Sequence, residues 1–291
     1  MAVATFFMLS GYLAVVKDET NTELWLYLKK RAIRLYPAYW VAVTVTFIVT
    51  YCLLPARSVS IIEALFNFTM LESFVGVSLV DGAYWTLANE LIFYAFIAVV
   101  VVLLKKRKVL PIFCLSWVIV LFVYSLFESD SLAFAAIGKL IAKQYGHMFA
   151  TGVSILFLTH DIGTRWIKII AGVTVILSIV YQYLIFGWGY TLYFLISLLV
   201  ISGCIVVNNK GLAQNQVFQK VMYPLKLLAA ISYPLYLLHQ NIGYAMLEHL
   251  RPVVSDREWI IIIPLFTVSI AAYLIYRFVE QPITEKFKSK A

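Results

Sequence analysis

At least eight stretches of this 291-residue chain are long and apolar enough to cross a lipid bilayer. About 20 apolar residues span the roughly 30 Å of bilayer hydrocarbon. Runs at 37–54, 84–104, 109–127, 167–186, 190–207, 227–247 and 259–276 reach or approach that length. A more polar run covers 132–158, and residues 1–16 are short but apolar enough for most of a further span. In hydrocarbon the backbone has no water to bond, so a spanning chain must be helical or a closed barrel. The ten-residue alternation of barrel strands is absent. The expected fold class is therefore all-α, a polytopic membrane bundle of about nine transmembrane helices in a single domain over 1–291. Composition agrees: with 63% hydrophobic and 13% charged residues, a water-soluble fold of this length would lack polar surface.

The net charge of +8 is distributed as a topology signal. Basic residues gather at Lys29, Lys30, Arg31 and Arg34; at Lys105, Lys106, Arg107 and Lys108; and at Arg165 and Lys168. Further clusters are Lys210, Lys220 and Lys226, then Lys286, Lys288 and Lys290. With nine alternating spans all of these share one side, which the positive-inside rule makes cytoplasmic. The C-terminus is then cytoplasmic and Met1 outside, and an additional helix upstream of Met1 would restore a cytoplasmic start. A basic excess explained this way argues against nucleic acid as a partner. Cys52, Cys114 and Cys204 lie in apolar runs without metal-ligand spacing, so they read as small buried hydrophobes and no metal is expected. The longest non-cytoplasmic connection covers 55–83. Its apolar middle, 61–80, suits a segment that lies along the surface or re-enters the membrane.

Against this background the ionisable groups within the runs mark the candidate chemistry: Glu90, Lys139, Lys143, His147 and His239. A charge at the hydrocarbon centre costs roughly 2.5–3.5 kcal/mol on insertion scales, so such groups face a partner or a wet interior. In AYWTLANELIFYAF (83–96), Thr86, Glu90 and Tyr94 follow i, i+4, i+8, as for a functional cavity or an ion pair to Lys143 or Lys139. Tyr84 and Trp85 suit an outer interfacial belt. Lys139, Lys143 and His147 repeat the spacing, either as a wet helix face or as lysines snorkelling outward. Ser232, Tyr236, His239 and Gly243 fall within about 60° on a 3.6-residue helix. His239 can bond a partner helix or act as acid or base near neutral pH. Arg31 and Arg34, three apart in KKRAIRLYPAYW (29–40), share a helix face. They are two forks for a phosphorylated ligand or an ordinary positive-inside anchor. Pro37 suits a helix first turn, and Ser10 with Gly11 in FFMLSGYL (6–13) lets another backbone approach closely.

Taken in order, these motifs resemble the acyltransferase-3 family of multi-pass membrane O-acyltransferases, many of which modify bacterial cell-surface sugars. The resemblance rests on Phe6 to Tyr12, Arg31 to Tyr39, Trp85 to Tyr94, SYPLYLLHQ from Ser232 to Gln240, and RFVEQP from Arg277 to Pro282. It implies acyl-CoA as donor, acetyl-CoA first, presenting its phosphates to Arg31 and Arg34, with no permanently bound cofactor. It implies a carbohydrate or lipid-linked glycan acceptor, and a bacterial plasma-membrane location within the lipid bilayer. Glu90 and His239 are the expected catalytic groups, and Tyr84, Trp85, Lys143, His147, Ser232 and Tyr236 the expected substrate-binding ones. Family members usually open with a helix carrying a basic residue and a catalytic histidine. Only five residues precede Phe6, so that helix is expected in frame upstream of Met1, and no residue here inherits the histidine's role. Two other classes fit the same residues: a transporter passing substrate or protons along Glu90, Lys143 and His147, and an inactive acyltransferase remnant.

Overall fold

In the computed structural model, residues 2–17, 22–103, 105–127, 129–209, 222–254 and 256–288 are described. Among the described residues the chain is helical and holds no β-strand. The helices are α1 (Ala2–Val16), α2 (Leu24–Leu53), α3 (Ile61–Asn67), α4 (Glu72–Val75), α5 (Trp85–Ile97), α6 (Leu110–Ser125) and α7 (Leu132–Leu140). They continue with α8 (Gly146–Thr159), α9 (Arg165–Asn209), α10 (Tyr223–Leu238), α11 (Asn241–Leu250), α12 (Arg257–Ile275) and α13 (Gln281–Lys288). Among the described residues five helical stretches are long and apolar enough to cross a membrane: Leu24–Leu53, Gly82–Val102, Arg107–Ser125, Arg165–Asn208 and Glu258–Phe287. The all-α membrane class read from the sequence is thus the class observed. Lys210, Lys220 and Lys290 of the basic clusters lie outside the described residues.

Several apolar runs are interrupted where periodicity suggested one helix. The 132–158 run divides between α7 and α8, with Ala142 at φ +50° in the turn. That turn is held from outside, since Trp117 Nε1 donates to Ile141 O (2.8 Å) and the Tyr181 hydroxyl to Lys143 O (2.8 Å). Lys139, Lys143 and His147 therefore do not share one helix face. The 227–247 run breaks at His239 and Gln240, which separates Gly243 from Ser232 and Tyr236. Conversely, 167–186 and 190–207 join as α9, broken only at Gly187, whose φ of +79° a residue with a Cβ adopts at a cost. Pro37 sits inside α2 and removes the bond to the carbonyl four residues back without ending the helix.

The chain forms two compact units, Met1–Leu28 with Asn89–Phe218, and Lys29–Ala88 with Gln219–Ala291. In the first unit α1 packs on α8, and α8 on α6 and α9. Glycine permits the first of these contacts. A Cβ at Gly11 would run into the Phe149 carbonyl, and one at Gly152 into that of Met8. The two helices thus meet backbone to backbone, as small residues allow in membranes. The ring of Phe149 stacks on Phe93 at 4.4 Å and lies 4.7 Å from Phe7.

In the second unit α10 and α11 pack on α12. The segment after α2 folds back along it. Tyr36, Tyr39 and Trp40 donate to the carbonyls of Thr69 (3.0 Å), Asn67 (2.6 Å) and Phe68 (3.0 Å). Trp40 lies thirteen residues before the end of α2, so at 1.5 Å per residue the segment returns about 20 Å, two-thirds of the hydrocarbon thickness. The 61–80 segment therefore runs alongside α2, a path open to both expectations for it. Buried Asn67 stitches it, bonding Glu63 O, Ser78 O and the Val80 N–H at 2.8–2.9 Å. All three cysteines are free; Cys114 is buried, but Cys52 and Cys204 are exposed on helix faces, not core residues as expected. Those faces are apolar ones that lipid rather than protein would cover.

Candidate active site

The densest polar cluster of the second unit lies where α10 gives way to α11. Asp81 precedes the α5 span and is fully buried. Its Oδ1 accepts from the Ala83 N–H (2.9 Å) and its Oδ2 from the Asn241 N–H (2.9 Å). Asn241 returns the contact, its Nδ2 donating to Val80 O at 2.8 Å. Asp81 therefore joins the approach to α5 to the first residue of α11. Burial pushes its carboxyl up from the usual range, opposed by the two N–H donors and by the nearby charges of His239 and Arg57. The Arg57 guanidinium lies 4.2 Å from the Tyr244 ring centre and its Nη1 reaches Asn241 Oδ1 at 3.5 Å.

His239 caps α10 and is exposed. Its Nδ1 stands 2.6 Å from Tyr236 O. A carbonyl can only accept, so Nδ1 carries the proton and the neutral ring keeps its lone pair on Nε2. Tyr236 is fixed in turn, its hydroxyl bonding Ala83 O (2.9 Å) and Thr86 Oγ1 (2.9 Å). Ser232, by contrast, is exposed and bonds back to Ala229 O within α10. Tyr84 is interior: its hydroxyl meets Thr46 Oγ1 (3.4 Å) and its ring lies 5.0 Å from Tyr39. Trp85 is half-buried. The belt expected for this pair thus loses Tyr84 to packing.

The basic residues of α2 lie toward its start. Arg31 is half-buried and Arg34 exposed, and α2 is continuous across both, so they share the face the spacing predicts. Arg34 is close enough to Glu280 for their charges to interact. Lys29 Nζ stands 5.0 Å from the Phe287 ring centre. Arg277 donates to Gln281 (2.7 Å), which donates to Glu285 (2.8 Å). Arg34 thus has an acidic neighbour in Glu280 and remains open to solvent.

In the first unit Glu90 is buried on α5. The hydroxyls of Ser10 (2.8 Å) and Tyr94 (2.5 Å) both donate to its Oε1. The partners found for this carboxylate are hydroxyls rather than Lys143 or Lys139. Lys143 is exposed, its ammonium 5.5 Å from the Tyr124 ring centre. His147 is fully buried, its Nε2 2.6 Å from Gln182 Oε1 and its ring stacked on Phe194 at 5.7 Å. These contacts make His147 a packed histidine, apart from the lysines it was grouped with.

Asp81, Arg57 and Asn241 carried no signal in the sequence because each lies in a connection or at a helix start, outside any polar stripe. Only Asp81, as the last acidic residue before a span, could have been suspected. Among the described residues no cluster of three or more His, Cys, Asp or Glu side chains is placed to hold a metal ion. A family model described as an acyltransferase domain matches residues 1–278. No curated protein and no solved structure matches the chain.

Proposed function

The chain belongs to the acyltransferase-3 family, and from that premise we propose that it is a membrane O-acyltransferase moving an acyl group, acetyl first, from cytoplasmic acyl-CoA to a hydroxyl of a cell-surface glycan or its lipid-linked precursor. The observation that carries the proposal is His239, whose Nδ1–H is engaged by Tyr236 O so that Nε2 is the basic atom, beside the buried carboxylate of Asp81. An imidazole in that tautomer can take the proton of an attacking hydroxyl, a larger part than the sequence motifs alone assigned to His239. The new ester bond forms as the thioester C–S bond breaks, and the proton passes to the CoA sulfur. General-base help of this kind is worth roughly 10²–10⁴ in rate. Trp85, Tyr236 and Ser232 orient the acceptor, with Tyr84 backing them, and Arg31 and Arg34 hold the donor's phosphates. Glu90 organises the first unit through Ser10 and Tyr94, and exposed Lys143 is its further substrate-facing group, while His147, packed against Gln182 and Phe194, braces that unit from within. The whole chain acts as one acyltransferase domain in a bacterial plasma membrane, with its C-terminus in the cytoplasm.

The test uses purified protein in lipid nanodiscs with radiolabelled acetyl-CoA and methyl glycosides as acceptors. His239→Gln and Glu90→Gln are each expected to lower transfer by at least 100-fold at unchanged folded yield. Wild-type rates in His239→Gln would remove the base from the proposal.

A further inference from the structure

The connection before α5 contributes a group to which the acyl-transfer reading above gives a place but no task. Asp81 sits at a point where three pieces of the second unit converge. Its two carboxylate oxygens divide their bonds between the Ala83 N–H, at the approach to α5, and the Asn241 N–H, at the start of α11. The α10–α11 break lies immediately before Asn241, and the residues that form it are His239 and Gln240. A helix start stripped of its intrahelical partners needs an acceptor, and here a residue 160 positions away supplies it. The same carboxylate feels the charges of His239 and Arg57, and Tyr84 feels its charge. Those are the titratable and charged groups that face it. The Gln240 side chain of the break lies against Gly82, the residue after Asp81, where a Cβ would meet it.

Building on the reading of His239 as base, we infer that Asp81 is its positioning residue, fixing the α10–α11 break so that the imidazole holds one place and one tautomer, and favouring the imidazolium formed when Nε2 takes the acceptor proton. Asp81 touches neither substrate nor reacting atoms. Its part is that of the buried acid behind a catalytic histidine, with the backbone break as the element it controls. Asp81 also explains why the 227–247 run is not one helix. A carboxylate buried without those two N–H groups would carry an uncompensated desolvation cost, and α11 starting at Asn241 provides one of them.

The experiment is a double-mutant cycle in the nanodisc assay with acetyl-CoA and methyl glycosides. Asp81→Asn keeps the shape and removes the charge. It is expected to lower kcat by roughly 10- to 100-fold, as lost partners behind a functional histidine do, with KM for acetyl-CoA unchanged. In a His239→Gln background, Asp81→Asn should cost nothing further. An additive loss in that background, a wild-type kcat in Asp81→Asn beside an inactive His239→Gln, or a kcat loss matched by an equal change in KM, overturns the inference alone. Full activity in His239→Gln overturns the underlying reading instead. Ser78→Ala, which removes a bond to Glu63 in the same connection but outside the cluster, serves as a folding control: kcat held in it at a lowered thermal midpoint supports the inference, and kcat falling in step with the midpoint in both variants overturns it.

Discussion

Glu90 shows how a buried carboxylate can be tolerated without a cation. Two hydroxyls converge on one oxygen, Ser10 from α1 and Tyr94 from one turn further along α5. An intramolecular hydrogen bond is worth about 0.5–1.5 kcal/mol net, so Ser10→Ala and Tyr94→Phe should each lower unfolding stability by that order. Because both serve the same atom, their losses should couple rather than add. Chemical denaturation of the two single variants and the double variant in detergent checks this; strict additivity would mean that the hydroxyls act independently. The Thr86–Glu90–Tyr94 stripe was legible from spacing alone, since i, i+4 fixes neighbours on any helix. The Ser10 contact was not, because it spans eighty positions and FFMLSGYL signalled only a close approach.

The segment between α2 and α5 carries the element most sensitive to pH. Glu72 is buried there with no bonding partner for either oxygen, and burial pushes its carboxyl up to about 7. A carboxyl whose folded value is raised binds a proton that the unfolded chain has released. The segment's stability from Glu72 is thus complete below the ordinary value near 4.5, and lost as pH rises through about 7. Glu63 works in the opposite sense: Ser78 and Ser60 hold it down at about 2, so its contribution is present above 4.5 and lost as pH falls toward 2. Hydrogen exchange of the Val80 and Met70 amides should therefore slow from pH 8 to pH 6 after correction for intrinsic rates, and Glu72→Gln should abolish the change. A flat corrected profile in the wild-type protein would show that the segment does not respond to Glu72. The apolar pattern of 61–80 did not reveal that the segment is tied along α2 by hydroxyl and indole donors, because composition does not encode where those donors will point.

Over the whole molecule, hydropathy located the helical material and missed its punctuation. Runs of apolar residues are local properties, whereas the breaks at Ala142 and Gln240 are held by Trp117, Tyr181 and Asp81 from distant parts of the chain. The candidate site followed the same division. His239, Arg31 and Arg34 could be named from motif and spacing; the carboxylate behind His239 could not. The donor assignment is tested at this scale too. Arg31→Ala with Arg34→Ala should weaken acetyl-CoA binding at least tenfold, or about 1.4 kcal/mol, while membrane insertion and thermal midpoint stay put. Isothermal titration in nanodiscs measures the first, and unchanged affinity would move the phosphates elsewhere. Glu280 beside Arg34 adds an expectation: Glu280→Gln should tighten binding, since it removes a competitor for the guanidinium.

Where α1 crosses α8, main chain meets main chain at Gly11 and Gly152, and the Phe7 ring wedges against Phe149 beside them. Two backbones that close leave neither helix room to slip past the other. The pair should move as one stiff spar, carrying Ser10 with it. Whatever breathing lets substrates in and out must be sought in hinges such as Gly187, not along that seam.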